Sequence, residues 1–140
     1  MEIVQDTNVF VAALRSQEGA SAAVLDCCLA RSYQAVMGAA LLAEYEELVQ
    51  RDSLWREVPV TAAEREALLD DFCAAAVWQP VYFRWRPNLA DADDDRVLEL
   101  AIAGGVEHLV THNLRDFGRG ELKFASPRAV TPAQHLKLVK

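Results

Sequence analysis

Glycine and proline are scarce in this 140-residue chain, at 6 and 5, which excludes collagen-like and low-complexity architectures. Cysteine is scarcer still. Cys27, Cys28 and Cys73 are odd in number and lack a CxxC pair, so neither a disulfide framework nor a zinc knuckle is expected. No apolar run approaches the roughly 18 residues that a membrane span needs. The opening MEIVQD carries acids where a secretory signal needs a basic and then an apolar stretch. These absences predict a soluble, cytoplasmic protein with reduced, buried thiols. What is present is 52% hydrophobic and 25% charged residues, enough for one core and one domain spanning residues 1–140.

Bases are also in short supply, 14 against 21 acids for a net charge of −7, which at first argues against a polyanionic partner. Their placement reverses that argument. Residues 1–110 hold 19 acids and 8 bases, whereas residues 111–140 hold 2 acids and 6 bases. Arg115, Arg119, Lys123, Arg128, Lys137 and Lys140 form a candidate basic patch, which Arg84 and Arg86 could join. A merely solvated surface is the plainer explanation of the same residues.

Short apolar stretches alternate with helical patterns, the signature of an α/β domain around a mainly parallel sheet. Strands are predicted at Ile3–Val4, Ala35–Met37, Val77–Phe83, His108–Val110 and Ala129–Val130, the third being the longest. A capping box at Thr61 and Glu64 opens a helix to about Ala76. Thr131-Pro132 starts a short closing helix through Leu136, and a third helix runs from near Asp93 to Gly104-Gly105. A fourth, from about Ala40 to Arg51, places Leu41, Leu42, Tyr45, Leu48 and Val49 on one stripe. A further helix starts near Val9.

The acids fall at telling places. Asp6 follows the first strand and precedes Thr7 and Asn8, so it belongs to a strand-to-helix turn, where parallel sheets line their ligand crevice; a helix cap would explain it as well. On the Ala40 helix Glu47 lies away from the apolar stripe, while Glu44 and Glu46 occupy its two borders and periodicity does not choose between them. The run from Asp91 to Asp95 opens the next helix with more charge than the macrodipole accounts for, and Asp94 falls near the centre of the apolar face, with Asp95 at its edge. Thr111, His112, Asn113 and Asp116 follow the fourth strand. Acids gathered from these segments need a countercharge, and hard oxygen donors suit Mg²⁺ or Mn²⁺. His108 and His112 sit on a strand and its turn and lack the shared face of a helical zinc motif.

These residues together resemble the PIN-domain family, small metal-dependent ribonucleases that include toxins of VapBC-type toxin–antitoxin pairs. The resemblance rests on DTNVF at Asp6–Phe10, GAALLAEYEELV at Gly38–Val49, DADDDRVLELAIAGGVEHLVTHNLRDF at Asp91–Phe117 and AVTPAQHL at Ala129–Leu136. It implies a three-layer α/β/α sandwich with a parallel sheet of four or five strands. It further implies that Asp6, Glu44 and Asp95 are the metal-binding and catalytic acids, Glu44 rather than Glu46 being the match to the family's helical glutamate, with Asp94 a close companion. The family's fourth acid usually stands two residues after the Val-Thr dipeptide, where this chain has Asn113. Either Asp116 substitutes, or three acids work with the Asn113 amide. Asn8 would support Asp6. Asn8, Thr111, His112, Arg115, Arg119 and Lys123 are the expected contacts to RNA. Gly38 replaces a frequent serine.

The activity so implied is hydrolysis of RNA phosphodiesters to 5′-phosphate and 3′-hydroxyl ends, assisted by Mg²⁺ or Mn²⁺, by a homodimer with a cognate antitoxin protein as partner and no membrane association. Two other readings compete. An aspartyl-phosphate phosphatase also begins with an acid after strand one, but needs a second aspartate where Asn8 stands. A catalytically silent PIN module for protein binding would account for Asn113 and the overall acidity.

Overall fold

The computed structural model describes residues 1–81, 92–114 and 127–139, with side chains from Arg96 onward in the helix that opens at Ala92. Five strands, β1 (Glu2–Gln5), β2 (Gln34–Met37), β3 (Val77–Trp78), β4 (His108–Val110) and β5 (Arg128–Val130), form one sheet in the order β3-β2-β1-β4-β5. Every pairing is parallel, with Ile3 opposite both Ala35 and His108 and Leu109 opposite Ala129. The central strands carry apolar side chains buried on both faces, as a parallel sheet covered on both sides requires.

The described helices are α1 (Thr7–Arg15), α2 (Ala20–Leu29), α3 (Ala39–Gln50), α4 (Ala62–Ala75), α5 (Ala92–Ala103) and α6 (Pro132–Leu138). Right-handed crossovers from β1 outward to β2 and β3 place α1 through α4 on one face. The return to β4 places α5 on the other, completing the three-layer sandwich. Consistent with this, α2 packs against α1, α4 and α6, while α5 packs on β1 and β4. Phe10, Tyr45 and Phe72 form the aromatic centre of the first layer, the first two meeting edge-on at 5.0 Å.

Local chemistry explains most boundaries. Thr61 and Glu64 close the expected capping box on α4, at 3.1 and 3.0 Å. Thr131 and Gln134 close another on α6, with Pro132 in its first turn. Past the end of α5, Gly105 takes φ +60°, the left-handed conformation that glycine adopts without strain. Two expectations are corrected. The third strand is the shortest of the five: Gln79 N still donates to Met37 O, but Pro80 has no N–H with which to continue the ladder. Residues 82 and 83 of that predicted strand lie outside the described residues. Helix α2 was not predicted, because ASAAVLDCCL is apolar nearly all round and offers little periodic contrast.

Three buried polar anchors complete the frame. The Arg65 guanidinium donates to Val49 O and Val60 O, each at 3.0 Å, and lies 5.1 Å over the Trp55 ring. The Tyr45 hydroxyl donates to Gln5 O at 2.5 Å. On β4 and α6, His108 and His135 share an Nδ1–Nδ1 hydrogen bond of 2.7 Å, with Tyr33 edge-on to the His135 ring at 4.7 Å. Such a bond needs one donating and one accepting nitrogen, so at least one of the two imidazoles is neutral. His108, far from serving a metal, is a core residue.

Candidate active site

The chain leaves β1, fills β2 and β3 on one side and returns to β4 on the other, so the strand order reverses between β1 and β4. A crevice opens at the carboxyl ends of strands at such a switch point. Asp6 leaves β1 there and Thr111 leaves β4. Asp6 is the N-cap of α1, its Oδ1 accepting from Thr7 N at 2.8 Å. The other oxygen, Oδ2, accepts from the Thr111 hydroxyl at 2.9 Å and from Asn8 Nδ2 at 3.3 Å. Capping and crevice are therefore one arrangement, with one carboxylate oxygen given to each.

Thr111 ties the two turns together. Its hydroxyl donates to Asp6 and accepts from Asn8 Nδ2 at 3.3 Å and Asn113 N at 3.0 Å, which fills its one donor and two acceptor positions. Asn8 Oδ1 accepts from His112 N at 3.1 Å. The support expected of Asn8 is thus visible. Thr111 is fully buried, so its expected contact with substrate is replaced by a holding role toward Asp6. His112 and Asn113 are exposed beside it, and His112 Nε2 meets Ser21 Oγ at 2.8 Å.

Asp6 is 4% exposed. Burial pushes its carboxyl above the ordinary value, and four hydrogen bonds from Thr111, Thr7 and Asn8 pull the other way. Among the described residues no lysine or arginine pairs with it. A buried carboxylate whose described hydrogen-bond donors are all neutral fits a cation, because hydrogen bonds alone do not cancel its charge.

On α3 the structure separates the three glutamates. Glu47 lies outward and pairs with Arg51, whose Nε donates to it at 2.9 Å, and Glu46 is exposed. Glu44 is half-buried, with Oε1 shielded from solvent. Its neighbour Tyr45 reaches the β1 carbonyl just before Asp6, and its phenol is raised well above the ordinary value by burial and then by the Asp6 charge. The Tyr45 anchor thus fixes the turn of helix that carries Glu44 close to the end of β1.

Asp94 and Asp95 lie in the first turn of α5, and their side chains are outside the described residues. The next residue, Arg96, shares a cavity wall with Gly38 at the end of β2, which sets the start of α5 on the same sheet edge as Asp6. Asp91, Asp116, Arg84, Arg86, Arg115, Arg119, Lys123 and Lys140 also lie outside the described residues, while Arg128 and Lys137 are exposed. Among the described residues no three His, Cys, Asp or Glu side chains form a metal-holding group. One neighbour went unnoticed in the sequence. Gln5 is 1% exposed and neither atom of its amide is hydrogen-bonded; the available signal was a polar residue ending an apolar strand.

Comparison with known proteins agrees with this fold. A chain of the VapBC2 complex from Rickettsia felis, bound to a DNA fragment from its promoter, shares the fold with a TM-score of 0.60 and 17% identity. The match covers 86% of this chain and 94% of that one. None of the curated proteins compared matches, and no described helix is long and apolar enough to cross a membrane. A family model described as PIN domain matches residues 2–115, and the chain therefore belongs to the PIN-domain family.

Proposed function

We propose that this protein is a ribonuclease that hydrolyses RNA phosphodiester bonds with Mg²⁺ or Mn²⁺, acting as the toxin of a toxin–antitoxin pair. The observation that carries this reading is the buried Asp6 carboxylate at the β1/β4 switch point, oriented by Thr111 and Asn8 and lacking a described cationic partner. Asp6, Glu44, Asp94 and Asp95 would hold the ion, with Asp116 or the Asn113 amide completing the set. When bound, a divalent cation supplies Lewis acidity, lowering the pKa of water and offsetting charge on the phosphate. The chain's own part is to orient. Thr111 and Asn8 fix the Asp6 oxygens, Tyr45 fixes the Glu44 turn, and His112 and Asn113 face solvent where a strand would pass.

Arg115, Arg119 and Lys123 would hold the RNA backbone; Arg128, opposite His108 at the amino end of the parallel sheet, lies away from the Asp6 end. The structural neighbour's toxin–antitoxin context supports an antitoxin partner; a homodimer working in the cytoplasm completes the reading. The test is digestion of total RNA with Mn²⁺ and with EDTA, by the wild type, Asp6→Asn and Glu44→Gln. Cation-dependent cleavage lost at least 100-fold in both variants is expected. Undiminished cleavage in both, or cleavage indifferent to EDTA, removes the mechanism; failure to bind Mn²⁺ in calorimetry would favour a silent module.

A further inference from the structure

Trp78 ends the edge strand β3 and is 53% exposed, flanked by Val77 and Val81 at 42% and 41%. Trp78 lines a cavity of about 420 Å³, within the range of small-ligand sites. Arg96 and Glu99 from α5 contribute charged residues to the same lining. At the base lies Gly38, where a Cβ would come within 2.9 Å of Leu100 Cδ1 and 3.2 Å of Gln79 O. Helix α3 begins at that glycine without a side-chain cap.

We infer that this cavity is a nucleobase subsite for single-stranded RNA, in which a base about three nucleotides from the cleaved linkage stacks on Trp78; the assignment rests on the ribonuclease reading above. Three observations combine. The cavity opens on the same sheet edge as Asp6, two strand spacings away, about 10 Å. That is the span of roughly three stacked nucleotides at about 3.4 Å each. A half-exposed indole offers a planar face to any base, and such stacking is strong and tolerant of sequence. The rest of the lining suits a nucleotide. Arg96 and the uncapped start of α3 complement a phosphate, while the Glu99 carboxylate accepts from base amino or ribose hydroxyl groups. An apolar protein segment would bury Val77 and Val81 but would set no polar group against Arg96 and Glu99.

The test uses the full chain carrying Asp6→Asn, which prevents cleavage during the measurement, and a fluorescein-labelled ten-nucleotide RNA followed by anisotropy in Mg²⁺. Adding Trp78→Ala or Trp78→Leu is expected to weaken binding about 5-fold or more, whereas Trp78→Phe keeps most of the affinity. Trp78→Ala binding within 2-fold of its parent overturns the subsite while leaving the ribonuclease reading intact. Equal binding by the Leu and Phe variants overturns stacking in favour of apolar docking. A change in sedimentation of Trp78→Ala with unchanged RNA affinity assigns the face to a protein contact and overturns the proposal. Absence of RNA binding by the parent, together with absence of cleavage by the wild type, removes both readings together.

Discussion

Thr111 shows how a single hydroxyl organises a site. Thr111→Val keeps the shape but strips Asp6, Asn8 and the Asn113 amide of their shared partner. The expected cost is about 1–3 kcal/mol in urea unfolding, and in kinetics a fall in kcat larger than any change in KM. Asp6→Asn should leave the apo fold at least as stable: burial raises the Asp6 carboxyl, so ionising it costs stability as pH rises, and the amide removes that cost. The same variant should lose the rise in Tm that Mn²⁺ confers on the wild type. At Gln5 an apolar replacement of similar shape removes two unbonded buried atoms, so Gln5→Leu should gain about 1–3 kcal/mol in urea unfolding; a destabilised variant would contradict this. Asp6 and Asn8 were legible because a strand-to-helix turn has a local pattern. The burial of Thr111 was not, since it depends on a strand about 100 residues away.

Among the elements, legibility followed the strength of local signals. The α4 capping box was read directly from Thr61 and Glu64, and Thr61→Ala should cost about 1 kcal/mol in thermal or urea unfolding. Helix α2, apolar nearly all round, carried no periodic stripe, and β3 read as long because its apolar run masked what Pro80 would do to the ladder. Arg65 has no local sequence signal of burial, yet it is 4% exposed and satisfies the carbonyls of Val49 and Val60. Arg65→Met should therefore lose about 2–4 kcal/mol, well beyond a surface substitution, because it leaves two carbonyls without donors.

For the molecule as a whole, alternation of strand and helix was enough to announce a parallel α/β sheet, but not its order, which is set by pairings remote in the chain. The His108–His135 clasp is a property of that scale, since it joins the closing helix to the sheet. Burial lowers both imidazoles, His135 to about 4, its neighbour's charge adding to the effect. The unfolded chain then binds protons more readily than the folded one below about pH 6.5. The clasp's contribution is complete above that pH and is lost as pH falls toward 4. Thermal unfolding between pH 7.5 and 4.5 should show Tm falling, with a shallower fall in His135→Phe; identical slopes would refute the linkage.

The join between β1 and β4 also orders events during synthesis. Asp6 leaves the ribosome early, yet the hydroxyl that orients it lies 105 residues further along the chain. At about 5–20 residues per second that interval is several seconds, during which a growing polypeptide carries the acid but not its setting. On the ribonuclease reading proposed above, such a polypeptide has no assembled site until residue 111 has been made.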